Sequence, residues 1–247
     1  MKAITTTTLM FSLSLAMASS VPASAESPLP HYAIERAEGP IAVDGFLREA
    51  AWDRAQRIDN FSYPWFKEGF PEQTEARLLW DDERLYISFV AHDTHISAHY
   101  QQRDEPVSRD DCVEVFIAPE ERQLHNYFNF EFNALGTILD RSPHYNRSSA
   151  WNAENIKVAI RIDGTLNDHS DIDEQWITEL SIPFTVFSGF ASSLPPVAGD
   201  SWRLNLYRTG GEINLQYATW SDTHRPKPQF HAPDRFGVVH FAAPSAP

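Results

Sequence analysis

NYFNFEFN, Asn126 to Asn133, alternates aromatic and polar residues with a period of two. Side chains of an extended chain point alternately to opposite faces, so Phe128, Phe130 and Phe132 share one face and Asn129, Glu131 and Asn133 the other. Such a strand predicts one face in a core and one in water. WRLNLYR, Trp202 to Arg208, repeats the pattern, with Trp202, Leu204 and Leu206 opposed to Arg203, Asn205 and Tyr207. Working outward, ARLLW, RLYISFVAH, CVEVFIAP, IKVAIRID, QWITELSIP, INLQYATW and FGVVHF have strand length and are rich in β-branched and aromatic residues. These short runs, punctuated by Pro and Gly, predict an all-β fold, an antiparallel sandwich or barrel, with one or two short helices. The helical candidate is REAAWDRA, Arg48 to Ala55, with Trp52 packed down on a sheet. WDDERLY, Trp80 to Tyr86, reads as a hairpin turn.

Residues 1–25 read as a signal peptide: basic Lys2, the apolar run LMFSLSLAMA, and the small residues Ala23, Ser24 and Ala25. That run is shorter than the ~20 residues a spanning helix needs, and no later stretch comes closer. The expectation is an exported, periplasmic or secreted protein without a transmembrane segment, with residues 26–247 as a single domain. Cys112 is the only cysteine, so packing and not a disulfide must stabilise the domain. A formal charge of −14 disfavours nucleic acid as a partner. The methionines, Met1, Met10 and Met17, all lie in the predicted signal, and no C-x-x-C-H motif occurs, which argues against Met-ligated or covalently attached haem. Asn60 and Asn146 head N-x-S sequons.

Seven segments in order carry a resemblance: IAVDGFLREAAW (41–52), ARLLWDDERLYISFVAHD (76–93), DDCVEVFIAP (110–119), FEFNALGTILD (130–140), WITELSIPF (176–184), GDSWRLNLYR (199–208) and FHAPDRFGVVHF (230–241). Together they resemble a family 9 carbohydrate-binding module. The resemblance implies a non-catalytic, jelly-roll-like β-sandwich that binds a mono- or oligosaccharide, as an accessory to polysaccharide-degrading enzymes, with no required cofactor and in some members structural calcium. It also implies a sugar gripped between two tryptophans, one just before the D-x-V-E strand and one in the loop before the final FG strand. Here those positions fall near Ser108 and at Phe230. A clamp short of one ring should lose ~1 kcal/mol or more, and Trp65 and Trp151 are the loop aromatics that could replace it.

In QFHAPDRFG (Gln229–Gly237), Pro233 stiffens the loop that would present Phe230 and His231, while Asp234 and Arg235 are expected to form a turn and a surface ion pair. Glu131, Asn205 and Arg208 are the polar candidates: carboxylate and amide oxygens accept sugar hydroxyls and guanidinium donates. Asp93, Asp110 and Asp111 are hard-oxygen candidates for calcium. The alternative function is a glycosidase, which needs two carboxyls ~5 to 10 Å apart; Asp111, Glu114, Glu131 and Glu179 are available, with Glu114 expected to be paired with an arginine. A third reading, a haem-binding redox accessory, would need bis-histidine ligation. His92, His95 and His99 in HDTHISAH share a helical spacing suited to zinc, but follow a strand and are expected to be solvated loop residues.

Overall fold

The computed structural model describes residues 27–145 and 151–243. The predicted signal peptide and the Asn146 sequon lie outside the described residues. Eleven strands and one short α-helix follow in chain order: β1 (His31–Arg36), α1 (Ala50–Arg54), β2 (Thr74–Trp80), β3 (Arg84–His92), β4 (Cys112–Ala118), β5 (Phe128–Asn133), β6 (Ile138–Arg141), β7 (Lys157–Asp163), β8 (Gln175–Pro183), β9 (Ser201–Thr209), β10 (Tyr217–Thr219) and β11 (Gly237–Phe241). All nine predicted strands form. β1 and β6 were not read from the sequence, being short and lacking clean alternation.

The strands make two sheets joined through β1. One runs β6-β5-β4-β9-β11-β1, with β10 on the same edge of β9 as β11; the other runs β1-β2-β3-β8-β7. The first four residues of β1 pair with β11, and Glu35 and Arg36 then pair with β2, so one strand changes sheets midway. Both of its pairings are parallel, which departs from the wholly antiparallel expectation; the other ladders are antiparallel. The β2–β3 turn is built as WDDERLY suggests: Asp81 Oδ1 accepts the backbone N–H of both Glu83 and Arg84 at 2.8 Å. No helix among the described residues is long and apolar enough to cross a membrane.

The core fills the space between the sheets. Phe128, Phe130 and Phe132 from β5, Val113, Val115 and Ile117 from β4, and Trp202, Leu204 and Leu206 from β9 meet Leu78, Ile87, Phe89, Trp176 and Leu180 of the second sheet. Alternation therefore assigned the inward face correctly. The opposite face of the first sheet is not wet as expected: Asn129, Glu131, Asn133, Asn205 and Tyr207 are all buried. A second apolar cluster explains this, because Phe116, Ala118, Tyr207 and Phe236 pack with Leu124, Tyr127 and Phe230 on that outer face, under the loop that precedes β11. On the outside of the second sheet, α1 seats Trp52 against Leu79 and Tyr86, as predicted.

Candidate functional site

The roof over the outer face of the first sheet is incomplete, and a hollow of about 380 Å³ opens there. Its floor is Glu114 and Phe116 of β4, Glu131 of β5 and Thr209 of β9; its walls include Ser108, Tyr217, Gln229, Phe230 and His231. Strand alternation explains the floor, since Glu114 and Phe116 follow Cys112 on the face opposite to Val113 and Val115.

Three contacts fix Phe230. Its carbonyl accepts the Tyr207 hydroxyl at 2.8 Å, its ring stacks on Tyr207 at 4.2 Å and 15°, and the backbone folds over it through Ala232 N–H to Phe230 O at 2.7 Å. Pro233 then opens a 3-10 turn, Pro233–Arg235. One ring face is thus spent on Tyr207, and the half-buried remainder borders the hollow. Trp65 reaches the same place from a loop 165 positions away, its ring 6.1 Å from Phe230 and 6.3 Å from Tyr217, its Nε1 donating to Arg225 O at 2.8 Å. His231 is anchored by the Tyr127 hydroxyl at 2.8 Å and lies 4.9 Å from the Phe116 ring. Asp234 pairs with Arg225 at 2.7 Å and not with Arg235, whose guanidinium turns inward to the carbonyls of Asp222 and Ser27.

Glu114 and Glu131 stand directly opposite one another across the β4–β5 ladder, which places their Cβ atoms about 5 Å apart. Among the described residues no arginine is recorded paired with Glu114; Thr209 Oγ1 donates to it at 3.4 Å, and Asn129 Nδ2 donates to Glu131 Oε1 at 3.0 Å. Burial, reinforced by the Glu131 carboxyl, lifts Glu114 well above the ordinary carboxylate range. Burial also pushes Glu131 up to about 7, against the pull of the Arg141 guanidinium. The pair therefore retains a proton near neutrality. Glu131 Oε2 is buried and has no hydrogen-bond partner among the described residues.

The remaining candidates go elsewhere. Arg208 is wholly buried on the inward side of β9 and donates to Asp93 Oδ2 at 2.8 Å, Glu72 Oε2 at 3.3 Å and His92 O at 2.7 Å, so it does not face a sugar. Asn205 is equally enclosed, donating to Ser221 O and accepting from Ser221 N–H. Trp151 packs on inward-facing Phe128 at 5.6 Å, whereas Phe230 lies on the outer face of the same sheet, so only Trp65 joins the site. Glu179 is on the outside of the second sheet, bound to Trp52 Nε1 and to the N–H groups of Asp44 and Gly45.

The three aspartates offered for calcium do not fit it. Asp111 accepts Ser97 N–H, Ser97 Oγ and Gly211 N–H; Asp93 accepts Arg208, His95 N–H and Asn214; Asp110 turns away to Tyr100 N–H and Asn133. Arg208 supplies the positive charge a cation would bring, and no group of three or more His, Cys, Asp or Glu among the described residues is placed to hold a metal. His92 and His99 are exposed and His95 lies against His169.

The buried acids set a pH dependence whose sign can be worked out. Asp111 is pushed up to about 8 by burial and by Asp93, and Glu131 up to about 7, from unfolded values near ~4. Acids whose folded values are raised contribute stability that is full below about pH 4 and lost as pH rises through 7 and 8. Asp93 works in the other direction: burial raises it, but Arg208 and its hydrogen-bond donors win and hold it low, so its effect is confined to acid. The melting temperature should fall steadily between pH 5 and 8.5, and Glu114→Gln, which keeps the shape and removes the charge, should flatten that slope. A melting temperature constant or rising over this interval contradicts the assignment.

Sequence reasoning missed Tyr217, Thr209 and Phe116 as site residues. The signal for Phe116 and Glu114 was their shared strand face; Tyr217 comes from a three-residue strand and carried none.

A family description, carbohydrate-binding family 9, matches residues 43–241. Among solved structures, a candidate carbohydrate-binding protein of Bacteroides uniformis has a TM-score of 0.71 at 18% identity, covering 87% of this chain and 100% of that one. A family 9 module of Caldicellulosiruptor kristjanssonii in complex with cellotriose has a TM-score of 0.62 at 13% identity, covering 87% of this chain and 95% of that one. The glucose complex from the same organism has the same TM-score and identity and covers 97% of its chain. At these identities the structural likeness establishes the fold. No curated protein matches the chain.

Proposed function

The chain belongs to carbohydrate-binding family 9, and from that premise we propose that it binds a saccharide in the hollow beneath Phe230 without cleaving it. The observation that carries this is the pairing, in one hollow, of a held aromatic ring, Phe230, with the carboxyl side chains of Glu114 and Glu131 on its floor. A pyranose has an apolar C–H face suited to a ring and a rim of hydroxyls that donate to carboxyl oxygens. Structures of the same fold hold cellotriose and glucose, which supports a neutral sugar as the basic ligand. The reading includes export through residues 1–25 and service to a polysaccharide-degrading enzyme.

The same two carboxyls bear on the glycosidase alternative. A glycosidase sets its carboxyls on either side of the scissile bond, with at least ~5 Å between the carboxyl groups themselves. Glu114 and Glu131 are adjacent in a sheet floor, so both lie on one side of anything in the hollow. The geometry favours binding over hydrolysis.

Titration calorimetry with glucose and cellotriose tests the reading. Phe230→Ala should weaken binding about tenfold or more, because the ring contact and the cover over Tyr207 go together. Ser108→Trp, which adds a ring at the hollow wall, should tighten it by about five- to tenfold. Absence of heat with either sugar in the unaltered protein, or unchanged affinity in Phe230→Ala, sinks the proposal.

A further inference from the structure

A second hollow, of about 600 Å³, adjoins the first and shares Tyr217 and Pro228 with it. Its rings are Trp65, Phe66 and Tyr217, and its charges are Lys67, Lys227 and Glu68. Trp65 touches both Phe230 and Tyr217, so an aromatic ridge runs from one hollow to the other at a spacing comparable to a single pyranose. A sugar chain resting on Phe230 has a continuous path into the second hollow.

The charge there is out of keeping with the rest of the molecule. The chain carries a formal −14 and four lysines, Lys2, Lys67, Lys157 and Lys227. Two of the four converge on this hollow from loops 160 positions apart. Neither makes an ion pair among the described residues, whereas Arg36, Arg48, Arg54, Arg103, Arg208 and Arg225 are each tied to a carboxylate. Glu68 opposes them singly and leaves the hollow net positive. Exposed ammonium groups beside aromatic faces suit a ligand that is both a sugar and an anion.

We propose that the second hollow is a subsite for an acidic sugar residue, so that the protein selects oligosaccharides carrying an anionic group one or two residues from the unit held at Phe230. The inference rests on the saccharide-binding reading above. The shared chemistry is a fixed negative charge on a pyranose; a uronic acid carboxylate and a sulfate ester are its two sources.

The test compares, by calorimetry on the full chain, a neutral xylo-oligosaccharide, the same oligosaccharide bearing one uronic acid, and a sulfated one. At low salt the acidic ligand should bind about five- to tenfold tighter than its neutral parent, and the advantage should shrink in 0.5 M salt as screening sets in. Lys67→Gln combined with Lys227→Gln should abolish the advantage and leave the neutral ligand's affinity unchanged. Tighter binding of the uronate or of the sulfated ligand alone identifies the source of the charge. Equal affinity for acidic and neutral ligands, or an advantage that survives in the double variant, overturns the subsite. If the neutral ligand still depends on Phe230 in that event, the primary reading stands; if nothing binds, both fall.

Discussion

Arg208→Ala should destabilise the protein by about 3–5 kcal/mol, the range expected when one partner of a buried ion pair is removed. Arg208 has no exposed surface and joins the inward side of β9 to Asp93, at the exit of β3, and to Glu72. Asp111 lies close enough to Asp93 that each alters the other's ionisation. Without the guanidinium, the buried Asp93 carboxylate loses its counter-charge, and the His92 carbonyl loses its 2.7 Å donor. Asp93→Asn in the same background should recover part of the loss, since it removes the stranded charge, and the double-mutant cycle isolates the coupling. Denaturant unfolding followed by tryptophan fluorescence measures it. A loss below about 1 kcal/mol for Arg208→Ala would mean that the network is loosely held and hydrated.

Trp52→Ala is the second large effect, again about 3–5 kcal/mol. Trp52 supplies most of the apolar surface by which α1, five residues long, holds to Leu79 and Tyr86, and so short a helix has little stability of its own. Its Nε1 also donates to Glu179 at 3.1 Å. Trp52→Phe separates the two contributions: it keeps most of the packing and deletes the donor, so about 1–3 kcal/mol is expected from it. Glu179 would retain the N–H groups of Asp44 and Gly45, each at 2.9 Å. Sugar affinity should not change in either variant, because the α1 face belongs to the second sheet and the Phe230 hollow to the first. A loss of binding in a folded Trp52 variant would refute that separation.

These sites show how unevenly function could be read beforehand. The opposed apolar and polar rows of NYFNFEFN and WRLNLYR suffice to orient two strands, and Glu131, a polar candidate in the sequence, lines the hollow beside Phe230. The partner it faces, Glu114, was expected to meet an arginine and meets another acid. Arg208 and Asn205 are ligand candidates in the sequence because a guanidinium donates to sugar oxygens and an amide oxygen accepts sugar hydroxyls. One of them instead closes an ion network at the sandwich end, and the other braces the loop at Ser221.

The all-β class and the inward face of its strands are legible in the residues alone, because alternation is a local property: each side chain's direction follows from its neighbour's. Phe230 stands out through the family resemblance, as the residue at the second clamp position, with Pro233 stiffening its loop. Which polar residues stay accessible is settled by long-range packing. That depends on segments far away in the chain, as when Trp65 comes to rest 6.1 Å from Phe230, Asp93 reaches Arg208 at 2.8 Å, and the loop before β11 covers Tyr207 and leaves Glu131 at the bottom of a hollow. Burial is a property of what lies on top, and no local pattern records that.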